Sequence, residues 1–131
     1  MKYKLISFAI MVFFITINYS CKKPGMGGDN TIVAFPQHHG KTIWNLGNYR
    51  DTIYVKFNAV EQPGTDPSVY DRVFIGDSGE NHVHIHGLQI GKYYLYGVGY
   101  DTSGHFRVSG GIPIELKDLT AETNINVPVT E

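Results

Sequence analysis

Three histidines alternate along one short segment of this 131-residue chain, at His82, His84 and His86. Successive side chains of a β-strand point to opposite faces, so the three imidazoles share one face while Val83 and Ile85 take the other. Neutral imidazole is a good ligand for zinc and copper, with a metal–nitrogen distance of about 2.0–2.1 Å. The segment is therefore a candidate zinc or copper site on the outer face of a half-buried strand.

A single ion would strain the strand if it bound all three histidines. Cβ atoms two residues apart on a strand are separated by roughly 6.6 Å, and those of His82 and His86 by about twice that. We therefore expect two of the three histidines to bind together with a third ligand from elsewhere, for which the candidates are His38, His39 and His105. The alternative interpretation is a solvated outer face that happens to carry histidine.

A stripe of tyrosines forms the second candidate site, with Tyr94, Tyr96 and Tyr100 on one face of the following strand. An exposed aromatic stripe could bind a glycan or an envelope protein. Alternatively, these rings are covered by the Asn58–Tyr70 loop or by the tail. The histidine and tyrosine faces would form one surface if the two strands make a hairpin, and opposite surfaces if the chain crosses between sheets.

Other functions find no support in the sequence. There is no His-Glu-x-x-His, Gly-x-Ser-x-Gly, phosphate-loop or dinucleotide motif, so we expect no catalytic activity. The net charge is −1 and no basic run follows Lys23, so no nucleic-acid partner is expected. The aspartates at positions 51, 71, 77 and 101 stand at predicted strand ends or turns, where aspartate commonly caps the chain.

Short apolar-alternating segments, separated by turn residues, indicate an all-β fold. We predict a single Greek-key β-sandwich of about seven strands, with Ser109-Gly110-Gly111 separating two of them. The strand candidates cover 31–37, 52–57, 72–75, 81–86, 93–101, 106–108, 112–116 and 123–129.

The first 20 residues are predicted to be a signal peptide that does not belong to the fold. A basic start is followed by a predominantly apolar segment of thirteen residues, Leu5 to Ile17, which is short for a membrane span. The only cysteine, Cys21, comes just after them, and Asn18-Tyr19-Ser20-Cys21 resembles the lipobox of a bacterial lipoprotein. That resemblance implies that Cys21 is lipidated and anchors the protein to the membrane. The alternative is an ordinary secretory signal with a chance cysteine.

The segment between the anchor and the domain is predicted to be a flexible tether. It covers residues 21–30 with the lipidated cysteine, and the domain covers 31–131. Its glycines and polar residues favour flexibility. Lysines, rather than an acidic run, follow Cys21 at positions 22 and 23, which favours an outer-membrane anchor that faces the periplasm.

One motif carries a resemblance to a known family. Val83 and Ile85 are followed by Leu88, Gly91, Tyr93 and Leu95 in the pattern apolar-x-apolar-x-x-Leu-x-x-Gly-x-Tyr-x-Leu. An Asp77-Ser78-Gly79 turn precedes it, and Gly40-Lys41-Thr42-Ile43 lies upstream. The whole resembles the carboxypeptidase regulatory-like (transthyretin-like, prealbumin-like) domain over about residues 30–129. The resemblance implies an accessory or binding domain without catalytic residues.

Anchor, fold and motif together predict a lipid-anchored module of the cell envelope that binds a partner or has a structural role. The alternative is a periplasmic zinc- or copper-binding protein that uses the histidine strand.

Overall fold

Two four-stranded sheets make up the computed structural model, which describes residues 23–118 and 122–131. The all-β sandwich is confirmed. In place of about seven strands, the described residues form eight and a single turn of 3-10 helix, Pro67–Val69. The strands are β1 Met26–His38, β2 Lys41–Thr42, β3 Thr52–Phe57, β4 Arg72–Ile75, β5 Val83–Leu88, β6 Gly91–Asp101, β7 Phe106–Leu116 and β8 Glu122–Pro128.

Strand β1 is the centre of the first sheet. It pairs antiparallel with β5 up to Ala34 and with β2 from Gln37 onward, and it pairs parallel with β8 from Thr31 to Gln37. The second sheet is antiparallel throughout, in the order β4-β3-β6-β7. No helix in the ranges 23–118 and 122–131 has the length and apolar character of a membrane span.

The chain crosses from one sheet to the other at the corner between β5 and β6. Gly91 has φ +143°, and a Cβ there would meet the ring of Pro24. The buried Tyr93 closes the corner, because its hydroxyl donates to the Gln89 carbonyl at 2.7 Å and accepts from the Gly25 N–H at 2.9 Å. The histidine face and the tyrosine face therefore lie on opposite outer sides of the sandwich.

The core lies between the inward faces of the two sheets. The alternation predicted for the corner motif is confirmed, since its apolar positions are fully buried. The buried apolar side chains are Ile32, Ala34, Ile43, Ile53, Val55, Val83, Ile85, Leu88, Tyr93, Leu95, Val108, Leu116, Val127 and Val129.

Strand β7 runs without a break through the glycines that were predicted to separate two strands. Gly110 lies opposite Gly97, and Gly111 lies opposite Tyr96. A Cβ on Gly110 would stand 2.5 Å from the Pro128 carbonyl oxygen, and one on Gly111 would stand 2.2 Å from that of Leu95. These glycines permit close approach of neighbouring backbones instead of forming a turn.

Strand β1 begins at Met26, inside the segment predicted to be a tether. Backbone and amide groups hold this extension: Gln89 N–H donates to the Gly25 carbonyl at 2.8 Å, and the buried Asn30 donates from Nδ2 to the Leu88 carbonyl at 3.1 Å. A polar, glycine-rich composition suggested flexibility, but backbone pairing with β5 orders residues 26–30. Cys21 and the predicted signal peptide lie outside the described residues.

Candidate metal centre

Strand β5 and the residue before it present the three histidines on the outward face of the first sheet. Val83 and Ile85, which alternate with them, are fully buried. The register places His84 opposite Val33 of β1, and the His82 ring lies 5.5 Å from that of Phe35. The predicted common face is therefore observed.

Two of these histidines converge with a glutamate. The Nε2 atoms of His82 and His84 share a hydrogen bond at 3.0 Å, and Glu80 Oε2 lies 3.2 Å from His82 Nε2. Each residue offers one ligand atom, and the three atoms lie within 4.8 Å of one another. Ligands of a tetrahedral zinc ion at about 2.0–2.1 Å are separated by roughly 3.3 Å. We call Glu80, His82 and His84 the first histidine cluster.

An unsatisfied carboxylate oxygen supports an ion at this cluster. Glu80 Oε2 and His84 Nδ1 are buried and have no hydrogen-bond partner among the described residues. Buried polar atoms are nearly always paired, so an unpaired one needs a reason. Glu80 Oε2 faces His82 Nε2 at ion-pair distance without the alignment of a hydrogen bond, and an ion bound at this oxygen would satisfy it. His84 Nδ1 is the ring nitrogen that does not face the cluster, so an ion there would leave it unpaired.

The side chains that converge on His82 and His84 are not those expected from the sequence. His86 stacks on His84 with ring centroids 5.4 Å apart, and its Nδ1 is 3.3 Å from Thr31 Oγ1, so it lies outside the cluster. His105 is an exposed residue of the turn after β6, and His38 and His39 belong to a different group of side chains. Glu80 is the third member of the cluster, because the turn before β5 brings its carboxylate beside His82. The ligands expected from the sequence were all histidines, so Glu80 was not among them.

Asn45 fixes the backbone of the first histidine cluster. Its Nδ2 donates to the carbonyls of Glu80 at 3.0 Å and His82 at 3.2 Å, and its own N–H donates to Glu80 at 2.8 Å. The Gly79 N–H donates to the Asn45 carbonyl at 2.7 Å. Asn45 is fully buried, so these bonds are shielded from water and hold the turn firmly. No sequence motif indicated this role.

A buried carboxyl lies next to Asn45. The Asp51 N–H donates to Asn45 Oδ1, whereas neither carboxyl oxygen of Asp51 has a hydrogen-bond partner among the described residues. Asp51 is fully buried, and desolvation raises its pKa from 3.8 to about 7. The prediction of a capping aspartate fits Asp71, whose carboxylate accepts from the Phe57 N–H at 2.8 Å, but not Asp51.

The tyrosine stripe is largely covered. Tyr94 is 7% exposed and Tyr96 is 5% exposed. Tyr70, at the end of the Asn58–Tyr70 loop, stacks on Tyr96 with ring centroids 5.5 Å apart. Burial, followed by the neighbouring tyrosines, raises the pKa of Tyr70 to about 12. Of the two alternatives for these rings, the structure supports cover by the loop.

Tyr100 is the member of the stripe that remains half-buried. It stacks on the exposed Tyr49 with centroids 4.3 Å apart. Both rings line a cavity of about 410 Å³ to which Arg50 and Arg107 also contribute, and no carboxylate lines it. This cavity is on the outer face of the second sheet, opposite the first histidine cluster.

No family model matches the chain, and no curated protein or solved structure matches it. The likeness to carboxypeptidase regulatory-like domains therefore stays a prediction based on the corner motif. The fold and the site together define a β-sandwich that carries, on one outer face, a group of side chains suited to a metal ion.

Proposed function

We propose that this protein is a non-catalytic binding module of the cell envelope and that its ligand is a zinc or copper ion. The observation that supports the ion is the spacing of 3.0 and 3.2 Å between the ligand atoms of the first histidine cluster. The envelope location rests on the sequence. Cys21 is the sole cysteine and follows an apolar signal-like segment, which favours a lipid anchor in the outer membrane facing the periplasm.

The donor set favours a transition metal over calcium or magnesium. Two imidazole nitrogens and one carboxylate suit zinc and copper, whereas calcium and magnesium prefer oxygen ligands throughout. Three protein ligands leave a fourth tetrahedral position for a water molecule or for a group of a partner. The module could therefore hold the ion for storage or use it to bridge to an envelope protein.

Thermal melting with and without zinc chloride tests this proposal, with His84→Asn as the variant and His86→Asn as its matched control. Both histidines lie on the same face of β5, but only His84 belongs to the cluster. A ligand at 100 times its Kd stabilises a protein by about 2.7 kcal/mol, which corresponds to several degrees in Tm. We expect His84→Asn to reduce the zinc-dependent rise and His86→Asn to keep it. Equal rises in both variants and in the unmodified protein would contradict the proposal.

A second candidate function is glycan binding, which the cavity beside Tyr49 and Tyr100 favours. Aromatic rings stack on sugars, and the two arginines beside them would pair with carboxylate groups. A uronic-acid oligosaccharide should then bind more tightly than its neutral counterpart, and both Tyr100→Ala and Arg107→Gln should weaken it. Calorimetric titration that detects neither sugar would remove this candidate.

A further inference from the structure

A second group of metal-binding side chains lies where strand β1 ends. His38, His39 and Glu131 each offer a ligand atom, and the three atoms lie within 4.8 Å of one another. His38 comes two residues after Pro36, so both side chains lie on the inward side of β1, whereas the first histidine cluster lies on the outward side of the sheet. The two groups share no residue. We call His38, His39 and Glu131 the second histidine cluster.

A carboxylate orients the imidazole of His38. His38 Nδ1 is 2.7 Å from Asp101 Oδ2, and the His38 ring is nearly buried. Asp101 is itself held, because its Oδ1 accepts from the N–H of Ser103 at 2.8 Å and from its hydroxyl at 2.6 Å. Histidines that bind metals commonly donate their other ring N–H to a carboxylate, which fixes the tautomer and the ring orientation. The bond to Asp101 thus leaves Nε2 of His38 as the nitrogen for an ion.

A tight turn brings His39 beside His38. His39 and Gly40 have φ +50° and +74°, which makes them the two central residues of a type I′ hairpin turn between β1 and β2. Asparagine, aspartate or glycine is the usual residue at the position of His39. The turn places the His39 ring 4.1 Å from the His38 ring, centroid to centroid. A histidine at this position strains the backbone, but the turn holds its ring beside His38.

Strand pairing brings Glu131 to the same end of the sandwich. The neighbouring Thr130 exchanges two backbone hydrogen bonds with Ser109, at 2.7 and 2.9 Å, and the Val129 N–H donates to the Gln37 carbonyl at 2.9 Å. Glu131 Oε1 then lies 3.9 Å from His39 Nε2. Both side chains are largely exposed, so they can adjust to close on an ion.

We propose that His38, His39 and Glu131 form a second, independent binding site for a divalent transition metal such as zinc, with Asp101 as the positioning residue of His38. This site does not depend on the first histidine cluster. The donor set is again two imidazoles and a carboxylate, the chemistry that zinc prefers.

Calorimetric titration with zinc chloride tests this site in a protein whose first cluster is removed by His82→Asn and His84→Asn. We expect this background to bind one zinc ion. Adding His39→Asn should abolish the binding, and adding His105→Asn should not. His105 is the matched control, because it is an exposed turn histidine with a similar φ of +60° but lies outside both clusters. Circular dichroism of each variant checks that it keeps the β-fold.

The outcomes separate the two sites. A folded background that binds no zinc, or equal binding by the His39 and His105 variants, would overturn the second site and leave the first untouched. One zinc bound by the unmodified protein and lost with His39→Asn alone would support the second site and reject the first.

The positioning role of Asp101 has its own readout. Loss of a carboxylate that orients a ligating histidine typically weakens metal affinity about 10- to 100-fold. Asp101→Asn should weaken zinc binding at the second cluster by this factor and leave the affinity of the first cluster unchanged. A uniform loss at both clusters would indicate a general structural effect and overturn the assignment.

Discussion

The two histidine clusters differ in what the fold supplies to each. In the first cluster the ligand atoms already stand 3.0 and 3.2 Å apart, but His84 Nδ1 is buried without a hydrogen-bond partner among the described residues. In the second cluster Asp101 orients His38 firmly, but His39 and Glu131 stand 3.9 Å apart and are exposed. In the first cluster a strand and the turn before it set the spacing of the side chains, whereas in the second cluster the Asp101 carboxylate sets the orientation of one histidine.

This difference leads to different expectations for binding. The first cluster rests on the buried Asn45 and on the turn that Asn45 holds, so its affinity should depend on the packing below it. The second cluster should depend on Asp101 and on closure of two exposed side chains. Because the two clusters share no residue, we expect changes beneath one cluster to leave the affinity of the other unchanged.

The largest effect is expected from the buried carboxyl beneath the first cluster. Burial raises the pKa of Asp51 in the folded state to about 7. Between about pH 4 and pH 7 the folded protein therefore keeps a proton on Asp51 that the unfolded chain releases, and the free energy of unfolding falls as the pH rises through this range. A shift of about 3 pKa units corresponds to about 4 kcal/mol. Asp51→Asn should therefore stabilise the protein by up to this amount above pH 7 and have little effect near pH 4. Urea denaturation at pH 4, 6 and 8 measures it.

The exposed Asp77 serves as the control for this prediction. Asp77→Asn should leave the pH dependence of unfolding unchanged. If the difference between Asp51→Asn and the unmodified protein were the same at every pH, burial of the Asp51 charge would not be the cause.

An intermediate effect is expected from Asn45. Asn45→Ala leaves the His82 carbonyl and the Asp51 N–H without their side-chain partner, whereas the Glu80 carbonyl keeps the backbone N–H of residue 45. Each unsatisfied buried group costs about 1–3 kcal/mol. The free energy of unfolding should fall by roughly 2 kcal/mol. Zinc affinity should drop at the first cluster only, which titration of variants with a single remaining cluster measures. A drop of similar size at the second cluster would show that the two regions are coupled.

The smallest effect is expected from the strained turn of the second cluster. A non-glycine residue at positive φ costs about 1–2 kcal/mol, and glycine recovers part of this after its own entropy cost of about 0.5–1 kcal/mol. His39→Gly should raise the stability of the metal-free protein by about 0.5 kcal/mol while removing zinc binding at the second cluster.

His105→Gly supplies the comparison for the strained turn. It should give a similar gain in stability without loss of zinc binding, because His105 has a similar backbone conformation outside the cluster. Destabilisation by His39→Gly alone would show that packing of its ring on His38 outweighs the backbone strain. The positive φ of His39 would then be explained by packing and would give no support to a metal site.

Local patterns in the sequence predicted the elements that depend on two-residue alternation. The core positions Val83, Ile85, Tyr93 and Leu95 and the common face of the three histidines follow from that periodicity alone. The glycines of β7 were misread because a glycine at a turn and a glycine under a close backbone look alike in sequence.

The composition of the cluster on β5 could not be predicted, because its third ligand depends on a turn. Glu80 is four residues before His84, so an extended strand would place the two Cβ atoms about 13 Å apart, too far for Glu80, His82 and His84 to share one ion. Only the fold of the turn, held by Asn45 from a distant loop, brings the carboxylate back. The pairing of His38 with Asp101 spans 63 residues and left no local signal.

The early start of strand β1 limits how far the domain can stand from a membrane. Five Cα–Cα steps separate Cys21 from Met26, the first residue of β1, and an extended chain covers at most about 3.6 Å per residue. If Cys21 carries a lipid, the distance between Cys21 and the first residue of β1 is at most roughly 18 Å. Such a domain would lie almost against the lipid headgroups, and its metal ions and partners would have to reach it at the bilayer surface.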